Sequence, residues 1–302
     1  ADHAADALAV RDVAAAQRVV IDYSSPNVAK PMHSGHIRST IIGDAIKRAL
    51  RTVGYEVIAD NHLGDWGTQF GKLIVAWRKW LDQDAFAKDP VAELLRLYIK
   101  FQEESKAKED DELDAATPLV KEARAELVKL QQGDPENRAL WQKFVDVSMS
   151  EFNRVYQRLG VEFDVALGES FYNDRLAGTV ERLVQEGIAE ESQGALVVFF
   201  RKADGSDELP PAIVRKGDGG FNYATTDVAG VLYRVERWAP ARISSLTDER
   251  QQLHFRQFFA IARRLGVTCS LEHVWFGLMR LPEGTISTRE GKRRGLEAPL
   301  AE

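Results

Sequence analysis

The chain has 302 residues, 44% of them hydrophobic and 28% charged, with a formal net charge of −6. This is an ordinary globular composition, long enough for one large domain or two, and it excludes a chain that grips nucleic acid through bulk positive charge, though not one with a local basic face. No apolar run reaches the ~20 residues of a bilayer span, and the single Cys269 excludes an internal disulfide and a multi-cysteine zinc site, so a reducing cytoplasm is expected.

Residues 3–17 are alanine-rich and read as a short helix or leader, without the basic-then-apolar pattern of a signal peptide. Arg18–Tyr23 reads as a strand, Ser34–Arg51 as a helix stopping near Gly54, Tyr55–Ala59 as a second strand and Thr68–Leu81 as a second helix. This βαβ pattern predicts a parallel sheet with helices on its faces. Residues 82–160 read as mainly helical, with a turn at Gly133-Asp134-Pro135 and a helix over Glu136–Leu159. The mixed charges of 103–112 read as an exposed helix face. Strands return at Ala195–Phe200 and Ala212–Arg215, followed by a helix over 224–238, a strand at Ile243–Leu246, a helix over 249–265 and a strand at His273–Phe276. The expected architecture is a split α/β domain, residues 1–302, made of a first half over 18–81, a mainly helical insertion over 82–194 and a second half over 195–302.

The chemistry gathers at Pro26-Asn27-Val28-Ala29-Lys30-Pro31-Met32-His33-Ser34-Gly35-His36, between the first strand and the first helix. A strand, a tight loop and a helix N-terminus make a phosphate site, because the first turn offers unpaired N–H donors at the positive end of the helix dipole. Gly35 permits close backbone approach, His33 and His36 add ring donors, and Lys30 adds a fixed positive charge. The competing readings are two helix-cap histidines or a metal pair at i, i+3, and no further metal ligand lies near in sequence.

The motif HSGH resembles the H-x-G-H signature of class I aminoacyl-tRNA synthetases. The wider DYSSPNVAKPMHSGHIRSTIIGDA, with NHLGDWGTQFG, ESFYNDRL, IVRKGDGGFNYATTDVA, QQLHF, EHVWFGLM and STREG in that order, is similar to the arginyl-tRNA synthetase family from about residue 18 to 291. The resemblance implies a Rossmann-like class I synthetase catalytic domain, activation of L-arginine with ATP and Mg²⁺, pyrophosphate release, and transfer of the arginyl group to the 3′ end of tRNA(Arg). It implies ATP contacts from Lys30, His33, Gly35, His36, His254, Gly277 and Leu278, with Phe255 beside the nucleoside. It implies Tyr223 and Asp227 as guanidinium readers, and Asp22, Asn27 and Gln251 as the residues that hold the substrate's amino group and backbone end. His62 and Gln69 are expected to face the site.

One departure concerns the second signature loop. Where class I enzymes usually carry K-M-S-K-S, this chain has Thr285-Ile286-Ser287-Thr288-Arg289, without either lysine. The resemblance implies that Lys30 replaces the missing charge, with Ser287 and Arg289 contributing; the competing reading is a surface turn. Without the resemblance, Asp227 reads as a first-turn acid favoured by the helix dipole and Tyr223 as core packing. Trp66 and Cys269 read as packing residues, with no basic neighbour in sequence to activate the thiol. Arg263-Arg264 and Lys292-Arg293-Arg294 are candidate tRNA contacts or plain solvated charge.

The chain is short for the family: an N-terminal domain touching the tRNA elbow and a C-terminal anticodon-binding domain are expected to be absent. A monomer without membrane association is expected. Three other readings stay open: a paralogue that passes the arginyl group to a different acceptor, a non-catalytic arginine- or ATP-binding module, and another class I nucleotidyl transferase sharing only H-x-G-H.

Overall fold

The computed structural model describes residues 17–30, 32, 34–105, 117–202, 204–217, 219–277, 280–281 and 284–285. In chain order its elements begin with β1 (Arg18–Asp22), α1 (Ser34–Thr52), β2 (Glu56–Asp60), α2 (Thr68–Trp80), α3 (Gln83–Lys88), α4 (Pro90–Ser105), α5 (Pro118–Gln131) and α6 (Pro135–Leu159). They continue with α7 (Asn173–Gln185), β3 (Glu190–Ser192), β4 (Ala195–Arg201), β5 (Asp207–Arg215), α8 (Tyr223–Trp238), β6 (Arg242–Asp248), α9 (Gln252–Arg264), β7 (Ser270–Phe276), β8 (Arg280–Leu281) and β9 (Gly284–Thr285). The chain divides into two compact units: the described residues of 1–24, 39–62 and 163–278, and those of 25–38, 63–162 and 279–302.

The first unit is built on a parallel sheet in the order β2-β1-β6-β7. Val19, Val20 and Ile21 are all buried, as a strand covered on both faces requires. The strands at Ile243 and His273 run longer than their apolar runs suggest. Pairing of β6 with β1 on one side and β7 on the other draws polar Arg242, Asp248 and Ser270 into the ladder. From the centre of the sheet, β1 leads outward to β2 through α1, and β6 leads outward to β7 through α9. The chain therefore reverses direction between β1 and β6, and the carboxyl ends of such strands are where open α/β sheets bind ligands. Asp22 ends β1 there, opposite Asp60 at the end of β2. An antiparallel sheet β3-β4-β5 completes this unit, and its Val198, Phe200 and Val214 share a core with Val228, Ile243 and Ile261.

The second unit is a helical bundle of α2 to α6 around Phe70, Leu73, Leu94, Phe101, Leu130 and Phe144. Gly71 lets α2 approach α5 closely: a Cβ there would lie 2.2 Å from the Ala123 carbonyl oxygen. Asp134 caps α6 by accepting from the Asn137 N–H at 3.0 Å, and Gly160 ends that helix at φ 65°. Val28 and Ala29, from the loop before α1, belong to this bundle's core. No helix among the described residues is long and apolar enough to cross a membrane.

Candidate active site

The loop between β1 and α1 has an unusual backbone. Ser24, Ser25 and Ala29 have φ of 72°, 48° and 64°, a left-handed conformation that non-glycine residues adopt only when their surroundings impose it. The surroundings are visible. The Ser24 N–H donates to Ser39 Oγ at 3.0 Å, and Thr40 Oγ1 donates to Ser24 Oγ at 2.8 Å. The Ala29 N–H donates to Ser148 Oγ at 2.8 Å. Two backbone bonds, Val28 N–H to Gly64 carbonyl and Gly64 N–H to Pro26 carbonyl, both 3.1 Å, join the loop to the NHLGDWG segment. That segment is itself pinned where Trp141 Nε1 donates to the Asp65 carbonyl at 2.7 Å and the Trp66 and Trp141 rings meet edge to face, so Trp66 packs as expected.

The consequence is a sorted loop. Pro26, Val28, Ala29 and Met32 are buried and Asn27 is exposed. Asn27 Oδ1 fills the space a side chain at 64 would need, 2.1 Å from the position of such a Cβ. Lys30 is half-buried with Nζ 4.6 Å from the centre of the Tyr98 ring. Gly35 and His36 lie in the first turn of α1, partly exposed. Pro31 and His33 lie outside the described residues. Gln69 Nε2 reaches the Gly64 carbonyl at 3.4 Å.

In the first unit the expected substrate residues meet a charged cluster. Tyr223 opens α8 and is 59% exposed, which removes the core-packing reading of that ring. Asp227 follows one turn later, on the same helix face. It lies beyond the first turn, so the dipole reading does not account for it. Its Oδ2 is held by His254 Nε2 at 2.5 Å, and the Tyr223 ring stands edge-on to the His254 ring with centroids 4.7 Å apart. The Oδ1 atom is 3.9 Å from His62 Nε2. His62 Nδ1 is bonded to the Leu167 carbonyl at 2.9 Å. Gln251 is exposed just before α9.

His62 also senses a further charged cluster, Asp22, Asp60 and Arg234, of which Arg234 is not among the residues expected from the sequence. Arg234, 5% exposed, donates through Nε and Nη2 to Asp60 Oδ2 at 3.0 and 2.7 Å, and through Nη2 to Asp22 Oδ2 at 3.1 Å. Burial works against its charge, but Asp22 and Asp60 outweigh burial and hold the guanidinium firmly protonated. The signal was present: Arg234 stands seven residues after Asp227, two turns along the same helix face.

Other expected residues have different surroundings. Phe255 is buried and stacks face to face on His273 at 3.9 Å, and Thr247 Oγ1 meets His273 Nε2 at 2.7 Å. Burial keeps His273 below the ordinary imidazole pKa. Gly277 is exposed after β7; Leu278, Ser287, Arg289 and the Lys292-Arg293-Arg294 cluster lie outside the described residues. Arg263 donates to the Val267 and Cys269 carbonyls at 2.9 and 2.6 Å, and Arg264 to the Phe199 carbonyl at 2.9 Å, so this pair ties down backbone. Cys269 does have a basic neighbour in space, Arg263, but burial is the larger effect and raises its thiol pKa. Among the described residues no group of three or more His, Cys, Asp or Glu gathers at metal-binding distances.

A sequence profile for the catalytic domain of the class I (R) tRNA synthetases matches residues 4–302. The chain belongs to this family. An arginine–tRNA ligase of Fusobacterium nucleatum is 50% identical over 285 residues, covering 94% of this chain and 48% of the relative. One from an Exiguobacterium species is 44% identical over 288 residues, covering 95% and 49%. The arginyl-tRNA synthetase structure from Plasmodium falciparum superposes with a TM-score of 0.70 at 30% identity, over 87% of this chain and 43% of that one. The Thermus thermophilus structure, at TM-score 0.68 and 21% identity over 90% and 50%, shares the fold. The chain spans about half the length of the curated relatives it matches.

Proposed function

We propose that this chain is the catalytic domain of an arginine–tRNA ligase. The arginine carboxylate attacks the α-phosphate of ATP, arginyl-adenylate forms and pyrophosphate leaves; the terminal ribose hydroxyl of tRNA(Arg) then attacks the arginyl carbonyl, the acyl–phosphate bond breaks and AMP leaves. The observation that carries this reading, in a chain of this family, is Asp227: a carboxylate fixed by His254, beside an exposed Tyr223. A guanidinium is a planar fork of donors and needs such a fixed oxygen partner. Asp22, Asn27 and Gln251 hold the amino group and backbone end of the substrate.

On the nucleotide side, Lys30, His33 and His36 stabilise charge on the phosphates, with Gly35 allowing close approach and Ser287 and Arg289 assisting from the second loop. His254, Gly277 and Leu278 contact the nucleoside. Mg²⁺ enters on the ATP phosphates, an ion that commonly keeps several waters and takes few protein ligands. The helical segment over 82–194 serves as the connective insertion between the halves 18–81 and 195–302. The chain acts as a cytoplasmic monomer. The test is arginine-dependent pyrophosphate release from ATP, with and without tRNA(Arg). Release only with tRNA supports the ligase. Release without it favours transfer to a different acceptor, and arginine binding with no release favours a binding module.

A further inference from the structure

Two histidines flank Asp227, and their hydrogen bonds fix them in opposite tautomers. His254 Nε2 is bonded to a carboxylate oxygen, an acceptor, so that nitrogen carries the proton. Its Nδ1 is buried with no hydrogen-bond partner among the described residues. His62 is the reverse. Its Nδ1 is bonded to the Leu167 carbonyl, which can only accept, so Nδ1 carries the proton. In the neutral ring Nε2 is therefore a bare acceptor, 3.9 Å from Asp227 Oδ1.

Two acceptors at that distance have no bond to each other, and one donor group between them satisfies both. An NH₂ group of a guanidinium has two N–H bonds splayed in a plane, and fits such a gap. We propose that His62 is a specificity-determining residue: its neutral Nε2 accepts a second N–H of the guanidinium that Asp227 binds. This rests on the assignment of Asp227 to the substrate's guanidinium. The Leu167 carbonyl is what holds the imidazole in the accepting tautomer.

Protonation of Nε2 turns the acceptor into a donor and a resident cation, which then competes with the substrate for Asp227. The groups that face the ring make this accessible. Asp22 and Asp60 end β1 and β2, Asp227 and Arg234 come from α8, and the Tyr172 ring lies 5.6 Å away. Burial opposes the charged ring and Arg234 repels it, but Asp22, Asp227 and Asp60 outweigh both and raise the His62 pKa above its ordinary value. Arginine binding then displaces a proton.

The experiment is calorimetric titration of this chain with L-arginine from about pH 6 to pH 8.5 in buffers of different ionisation enthalpy. The expected result is a proton released on binding, with affinity rising about tenfold per pH unit until the His62 pKa is passed and flat above it. His62→Gln keeps an oxygen or amide near the Nε2 position without titrating, and is expected to bind arginine with no proton release and a flat profile. His62→Asn, which mimics only Nδ1, is expected to lose affinity at every pH. A wild-type profile in His62→Gln, or binding without proton release in the unaltered chain, overturns the inference. Asp227→Asn separates the two readings. Loss of binding there beside a wild-type His62→Gln profile rejects His62 alone, whereas retained binding, or no arginine binding by the unaltered chain, rejects the Asp227 assignment and His62 with it.

Discussion

Arg234 grips Asp60 with two donors on one oxygen, Nε at 3.0 Å and Nη2 at 2.7 Å, and both residues are buried. The same Nη2 reaches Asp22, at the carboxyl end of β1. One guanidinium therefore ties α8 to the carboxyl ends of two adjacent strands. Arg234→Met leaves two carboxylates without this partner, and breaking a buried pair in this way costs about 3–5 kcal/mol. Urea unfolding is expected to show that loss. Arg234→Met with Asp60→Asn, which removes the stranded charge, is expected to recover part of it; equal stability of Arg234→Met and the unaltered chain would show that the cluster is only loosely held.

Much of this arrangement was legible in the chain. Alternation of strand and helix gave the parallel sheet, and the residues now found around Asp227 lie in motifs that the family resemblance marks. Other parts were not. The helix Asn173–Gln185 is not among the individual elements expected from the sequence, although Leu176, Val180 and Leu183 are spaced for one buried face. The Asp22–Asp60–Arg234 cluster depends on strand register, which pairs Asp22 with Asp60 across residues far apart in sequence. The place of Arg234 on the Asp227 face of its helix is readable from spacing, but its two carboxylate partners come from segments far from it in sequence. Membership of Val28 and Ala29 in the helical bundle's core is likewise a tertiary fact, and nothing in PNVAK announces it.

Gly64 and Asn27 form the next testable pair. A Cβ at 64 would meet Asn27 Oδ1 at 2.1 Å, so Gly64→Ala must push the carboxamide aside. Because Asn27 is exposed and can swing away, the cost falls on function and not on folding. Arginine affinity is expected to drop by about tenfold, roughly 1.4 kcal/mol, with an almost unchanged melting temperature. The check is a double-mutant cycle: in an Asn27→Ala background Gly64→Ala has nothing left to displace and adds no further loss. Full additivity would mean that Gly64 acts by another route.

Lys30 rests on the face of Tyr98, with Nζ 4.6 Å from the ring centre. Tyr98 is itself buried in the bundle, so the ring is a fixed platform for a side chain that is otherwise mobile. If Lys30 carries the charge that the second loop lacks, Tyr98 positions it. A cation–π contact contributes about 0.5–2 kcal/mol, so Tyr98→Leu is expected to lower kcat/KM for ATP by about 2- to 30-fold. Tyr98→Phe keeps the ring face and is expected to restore most of the rate, while the KM for arginine stays put in both variants. A rate loss in Tyr98→Phe as large as in Tyr98→Leu would assign the effect to the hydroxyl instead.

In the helical unit Glu126 is the hub of a polar network. Arg78 and Asn137 reach its Oε2 at 2.7 and 2.8 Å, and Lys129 its Oε1 at 2.8 Å. Burial raises its carboxyl pKa, but the bonds from Lys129, Asn137 and Arg78 together lower it by more, so the folded value lies below the unfolded one. A depressed carboxylate stabilises the fold above the unfolded pKa of about 4.3, and that contribution disappears as pH falls through the folded value. Glu126→Gln keeps the shape and one acceptor oxygen but cannot ionise. It is expected to be less stable than the unaltered chain at neutral pH, with the gap closing below about pH 4. Thermal unfolding of both proteins across that range is the measurement. A gap that stays constant with pH would show that the network works through hydrogen-bond geometry alone and not through the charge on Glu126.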